Sequence, residues 1–279
     1  MTAILLALGS SIGYGVTDFL GGLAARRMPV LLLGAITQPL GLIALLLVVP
    51  FTDGVMSEQT LIWGVVAGVG GSAGYVLLFR SLAIGPMSVA SPLSALVAVV
   101  LPVTAGLVFG ERLSPGAWAG IALGVIAVIM VSQVHEDAPH PVSTHVLVLS
   151  GAAGVCISVF LVALERSPDN SGLWVLVVER TVASVLLVVL AVGTRSLVRP
   201  TQTGLVLAGT STLLDLVATF MFVLATREGL LSVVAVITAL YPAATVLMAR
   251  GILGEQLQTL QRLGLLLAAV SVSLLAVSG

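Results

Sequence analysis

Four ionisable residues lie inside long apolar runs of this 279-residue chain: Asp18 in GYGVTDFLGG, Glu179 and Arg180 in VLVVERTV, and Asp215 in STLLDLVAT. A charge at the centre of a bilayer costs at least ~2.5–3.5 kcal/mol on insertion scales, so each needs a reason to be there. Three acids face one base. If Arg180 neutralises one carboxylate, two are left that must reach water, accept hydrogen bonds or hold a proton. The chemistry open to such groups is proton carriage, or counter-charge to a cationic solute. The plainer alternative is an Arg–Asp or Arg–Glu pair that fixes helix packing. Adjacent residues point about 100° apart on a helix, so Glu179 and Arg180 are not expected to pair with each other. Asp18 has its own plain alternative, a place at the membrane interface, because its segment ends a few residues later.

The neighbours of these charges are polar at helical spacing. Ser11, Tyr14, Gly15 and Asp18 form one face of the first segment, and Ser211, Asp215 and Thr219 one face of the eighth. The third segment carries Gly70, Gly71, Ser72 and Tyr75; the fourth and ninth carry Ser88 and Ser94 opposite Ser232 and Thr238, followed by Tyr241. Small and hydroxylated stripes also let membrane helices pack closely with no cavity between them. Stripes that include Asp18 and Asp215 favour a wetted cavity. The candidate cavity residues are therefore Asp18, Asp215, Tyr14, Glu179, Arg180, Tyr75, Ser94, Thr238 and Tyr241.

The elements that must position them are membrane helices. The sequence is 58% hydrophobic and 8% charged, where soluble domains carry about a quarter charged residues. A net charge of −1 with no basic block argues against nucleic acid as a partner. The single cysteine, Cys156, reads as a small side chain in an apolar run. His135, His140 and His145 flank one loop without the spacing of a zinc site. No metal and no cofactor is expected, and the absence of GxxxxGK[ST] argues against direct ATP drive. The apolar N-terminal stretch has no basic residue before it and reads as a retained membrane helix rather than a secretory signal.

A ~30 Å hydrocarbon core takes about 20 apolar residues per helix. Ten segments meet that length: 2–23, 30–50, 60–80, 86–109, 116–133, 145–164, 172–192, 204–225, 230–250 and 260–278. Helix is the only spanning form that suits them, because lipid offers the backbone no hydrogen-bond partner. The main polar interruption, HEDAPHPVST, occupies 135–144. Sliding the chain by 144 residues aligns GPMSVASPLSALVAVVLPVTAGLVFGERL (85–113) with GLLSVVAVITALYPAATVLMARGILGEQL (229–257) without a gap. The divisions are thus a first five-helix repeat at 1–134, a linker at 135–144 and a second repeat at 145–279. An odd number of helices per half makes the repeat inverted, a recurring plan of secondary transporters.

With Gly110–Glu111–Arg112–Leu113 repeated as Gly254–Glu255–Gln256–Leu257, Pro242 thirteen residues before Glu255, and YGVTDFLGGLAARR in the first segment, the chain resembles the EamA-type, ten-helix branch of the drug/metabolite transporter superfamily. The first half departs from the pattern, with Ala98 at the proline position and Pro102 four residues later. The resemblance implies a central cavity lined by helices that include the first, third and fourth of each half, with the fifth of each towards the outside. It does not name a substrate, since the superfamily handles amino acids, sugars, nucleotide sugars, metabolites and drugs. The G-E-x-L pair reads as a structural helix junction, with Ser114 as N-cap and Pro115 at the first helical position.

The expected fold is all-α and integral to the membrane: ten transmembrane helices in two inverted five-helix repeats. The expected function is a secondary transporter of a small organic metabolite or drug-like solute, with protons as the candidate coupling ion. The alternatives are an integral-membrane enzyme acting on a lipid, for which HEDAPH is the one weak candidate motif, and a scaffold, which would have no use for Asp215. Expected partners are the solute, protons and lipid, with no nucleic acid, the chain being a monomer or weak homodimer in a bacterial plasma membrane. Loops after odd-numbered segments hold seven arginines against three after even-numbered ones. That bias places both termini outside, whereas the resemblance implies the cytoplasm. Ten crossings put them on one face in either case.

Overall fold

The computed structural model describes residues 1–131, 143–253 and 259–278, and its regular elements there are all helical. They are α1 (Thr2–Ala25), α2 (Val30–Val48), α3 (Glu58–Ile84), α4 (Met87–Val108), α5 (Pro115–Val131), α6 (Thr144–Glu165), α7 (Trp174–Gly193), α8 (Gln202–Glu228), α9 (Leu231–Thr238), α10 (Tyr241–Leu253) and α11 (Thr259–Ser278). Among the described residues nine stretches are long and apolar enough to cross a membrane, α9 and α10 forming one of them; α5 is an apolar helix of 17 residues, at the short end of a span. The protein is an all-α, multi-pass integral membrane protein. Large apolar side chains such as Leu5, Ile12, Leu47, Val69, Val189 and Leu266 stand on its outer surface, where lipid rather than water receives them.

The ninth segment corrects the expected single helix over 230–250. It breaks after Thr238, and a new helix starts at Tyr241. Pro242 has no N–H to give to the carbonyl of Thr238, so the i→i−4 ladder is interrupted there. The chain tightens instead, with Leu240 N–H bonding Ile237 O at 3.2 Å. Proline alone does not force a break: α2 runs intact through Pro39, and α4 through Pro92 and Pro102.

Helix partners are reciprocal between the halves. α1 packs on α8 as α3 packs on α6; α3 meets α7 as α2 meets α8; α4 meets α6 as α1 meets α9 and α10. α2 meets α7, and α5 meets α11. The last pair approaches closely at Gly120, whose carbonyl accepts from Ser271 Oγ at 2.7 Å and where a Cβ would lie 2.6 Å from Leu275 Cγ.

The α4–α5 junction holds the halves together. Gly110 adopts φ +94°, a conformation glycine reaches without strain. Glu111 then extends to the second half: Oε1 accepts Leu231 N–H at 2.5 Å, while Oε2 accepts Ser232 N–H at 3.1 Å and Ser232 Oγ–H at 2.5 Å. The carboxylate thus caps the N-terminus of α9, where backbone donors are free and the helix dipole favours negative charge. Ser114 accepts Ala117 N–H at 3.1 Å, the N-cap expected before Pro115. The second motif copy at 254–257, His135, His140 and linker residues 135–142 lie outside the described residues. His145 is exposed, and Cys156 is half-buried in α6.

Candidate functional site

A cavity of about 130 Å³ lies between the helices, roughly ten times the space one water needs. α1, α2 and α3 of the first half and α6, α7, α8 and the broken α9–α10 of the second all contribute to its wall, with Ala98 from α4. No residue of α5 or α11 lines it. The second helix of each half adds more to the wall than the resemblance implied, supplying Thr37 and Gln38 from α2 and Glu179 and Arg180 from α7.

Of the nine residues singled out in the sequence, Tyr14, Asp18, Tyr75, Glu179, Arg180, Asp215, Thr238 and Tyr241 line this cavity. Ser94 lies one shell behind, its hydroxyl 2.9 Å from the Tyr241 hydroxyl. Helical spacing brings each group inward: Tyr14 and Asp18 are one turn apart on α1, and Ser211 and Asp215 one turn apart on α8.

Arg180 is the hub. Its Nε lies 3.1 Å from Glu179 Oε2, its Nη1 donates to Gln38 Oε1 at 2.5 Å, and its Nη2 donates to Asp215 Oδ2. The first contact corrects the expectation that adjacent residues would not pair. Their Cβ directions do diverge, but the arginine side chain is long enough to bring its guanidinium back beside its neighbour's carboxylate. The approach is at ion-pair distance without hydrogen-bond alignment, and Glu179 Oε2 has no hydrogen bond. Each guanidinium nitrogen therefore faces one partner, and one cation serves two carboxylates. Glu179 and Arg180 are almost wholly buried, whereas the Asp215 side chain keeps 26% exposure and forms the open edge of the cluster.

Asp18 stands apart from that network. It is 6% exposed, inside the helix bundle. Its Oδ2 accepts from Ser91 Oγ at 3.0 Å, and among the described residues no cation pairs with it. Ser91 is itself fully buried on α4, and its carbonyl accepts from both Ser94 Oγ (2.7 Å) and Tyr241 OH (3.2 Å).

The chain's three tyrosines all line the cavity. Tyr14 donates to Thr219 Oγ1 at 3.0 Å, Tyr75 shares a 3.0 Å bond with Thr37, and Tyr241 bonds Ser94 and Ser91. Their hydroxyls are committed to neighbouring helices, so their rings are what remains for a ligand. Tyr75 also meets Phe79 edge-on, with centroids 4.5 Å apart. Thr238, at the helix break, presents a buried hydroxyl with no hydrogen-bond partner.

Sequence reasoning missed Ser91, Thr37 and Gln38. Gln38 was legible, being the one amide within an apolar nineteen-residue helix. Ser91 was not, because a lone serine in a membrane helix carries no distinguishing pattern. Among the described residues no group of three His, Cys, Asp or Glu could hold a metal ion.

Residues 1–133 match the EamA-like transporter family. The whole chain folds like a solved structure described only as the crystal structure of a protein, with a TM-score of 0.74 over 96% of each chain at 17% identity. At that identity the likeness concerns the fold. No curated protein sequence matches the chain significantly.

Proposed function

We propose that the chain, whose residues 1–133 match the EamA-like transporter family, belongs to the EamA-type branch of the drug/metabolite transporter superfamily and is a secondary transporter that moves a small organic solute by alternating access. Two inverted five-helix repeats, 1–134 and 145–279, rock about the central cavity, with 135–144 as their connection. The observation that carries this reading is the cavity itself: a charge-bearing space between helices of both halves, with one wall made from a discontinuous helix. Membrane helices break where a site needs free backbone and side-chain polar groups, and buried charge is retained where solute or ion passes. The reciprocal helix pairing supports the repeat, since exchanging the halves turns α1–α8 into α3–α6 and α3–α7 into α2–α8.

Protons are the candidate coupling ion. Asp215 is ion-paired to Arg180, whereas Asp18 is held by one hydroxyl, so Asp18 is the freer carrier. The protein works as a monomer or weak homodimer in a bacterial plasma membrane, both termini on one face, and the fused halves supply a complete site.

The test is reconstitution. Solutes that raise the melting temperature of the purified protein are loaded into proteoliposomes, and labelled solute outside is followed. Alternating access predicts counterflow, in which trans solute accelerates uptake of label. A stabilising solute that crosses without trans-acceleration removes alternating access, and one that never crosses removes transport.

A further inference from the structure

We propose that the cavity binds an organic monocation with a compact aromatic body, its positive charge seated on Asp18. The inference rests on reading the cavity as the transport site, and it names the class of solute that site takes.

The argument starts from charge. The cavity wall holds Asp18, Glu179 and Asp215 against Arg180 alone. With all four ionised, the site is two charges short of neutral. Arg180 already shares its single charge between Glu179 and Asp215 and also donates to Gln38, so an incoming anion would compete with two protein carboxylates for it. A carboxylate or phosphate solute would add negative charge beside two buried acids, and like charges in a poorly hydrated space repel strongly. A zwitterion meets the same obstacle at its acidic end. A cation meets none: among the described residues no hydrogen bond reaches Asp18 Oδ1, and its Oδ2 is held by Ser91 at 3.0 Å.

The second observation is aromatic surface. The rings of Tyr14, Tyr75, Phe79, Phe160 and Tyr241 line the same cavity as Asp18. The tyrosine hydroxyls are bonded to Thr219, Thr37, Ser94 and Ser91, leaving ring faces and edges as the recognition surface. A cation near an aromatic ring is attracted by the ring's negative face, more strongly when desolvated, and ring–ring contacts add further attraction. An anionic solute loses that attraction. Carboxylate and aromatic surface together describe a site for a cation with an apolar ring.

The experiment uses the purified full-length protein and three probes with one phenyl body: phenyltrimethylammonium, benzoate and benzyl alcohol. Calorimetric titration reads binding, and proteoliposome uptake of the same labelled probes reads transport. Wild type is expected to bind phenyltrimethylammonium at least tenfold tighter than either other probe. Asp18→Asn, which keeps an oxygen for Ser91, should weaken the cation at least tenfold and leave benzyl alcohol unchanged, and Asp18→Glu should recover part of the loss. Should Asp18→Asn fail to fold, the selectivity of the wild type among the three probes still decides the class. Equal or tighter binding of benzoate or benzyl alcohol overturns the proposal. Undiminished cation binding in Asp18→Asn overturns the role of Asp18. Selective cation binding without any probe uptake upholds the site and overturns the transport reading instead.

Discussion

Replacing Glu111 with alanine removes the one side chain that ties the α4–α5 junction to the start of α9. Three hydrogen bonds go with it, from Leu231 N–H, Ser232 N–H and Ser232 Oγ–H. Their donors belong to residues that are 3% and 0% exposed, so water reaches them poorly once the carboxylate is gone. A hydrogen bond to a charged group contributes about 1.5–3 kcal/mol, and loss of an N-cap alone costs about 0.5–2 kcal/mol. The three bonds share one carboxylate and do not sum, and Glu111 is half-buried, so a loss of about 3 kcal/mol is expected. At roughly 2–4 °C per kcal/mol for chains of this order of size, the melting temperature should fall by about 6–12 °C. Glu111→Gln should lose at least half as much, because the amide must turn its NH₂ towards backbone N–H donors. The control is Glu58→Ala, an exposed glutamate in the first turn of α3 that should shift melting much less. The assay is thermal unfolding in detergent, followed by tryptophan fluorescence. A Glu111→Ala protein that melts within about 2 °C of wild type, under 1 kcal/mol on the same scale, refutes the view that this carboxylate caps α9.

Two further substitutions test the site and the scaffold separately. Arg180→Gln strands Glu179 and Asp215 without their shared cation, which should cost about 3–5 kcal/mol; adding Asp215→Asn should restore part of that, and a double variant as unstable as the single one refutes the pairing. Gly120→Val forces a branched side chain against Leu275 in the α5–α11 contact and should cost about 1–3 kcal/mol in thermal melting, while probe binding by the folded protein stays unchanged.

How far the sequence disclosed this molecule depended on what each feature requires. Helix number and position were legible because lipid leaves the backbone no alternative, and apolar length then marks each span. The candidate cavity residues were legible because charges and tyrosines are rare in such runs and recurred at helical spacing. What spacing does not contain is which helix faces which. That is why Ser91, the hydroxyl that holds Asp18 from α4, was not singled out, and why Gln38, visible as a lone amide in α2, could not be matched to Arg180. The Glu179–Arg180 contact was missed for a different reason: Cβ direction was taken as side-chain direction, which fails for a residue with three methylenes and a branched head. The break in the ninth span was half legible. Pro242 was visible, but so were Pro39, Pro92 and Pro102, which sit in unbroken helices. What accompanies the break is the bonding of Tyr241, directly after it, to Ser94 and Ser91 of α4.

The distribution of charge between the halves carries one more consequence. Position 71 of the first half, which matches Asp215, is glycine, and Arg180 finds near its own counterpart the uncharged Gln38. Asp18 belongs to the first half and the other three charges to the second. On the inverted-repeat reading, exchange between outward- and inward-facing states asks only that the two backbones be interchangeable. The solute site lies where the halves meet, and there a duplicated charge would be a liability: a second Asp215 beside the first, or a second Arg180 beside the first, would place like charges together in a space with little water to separate them. Asymmetric side chains on a reciprocal scaffold avoid that repulsion. They bring Arg180 of one half onto the amide of the other, and among the described residues they leave Asp18 as the acid of the cavity that no cation pairs with.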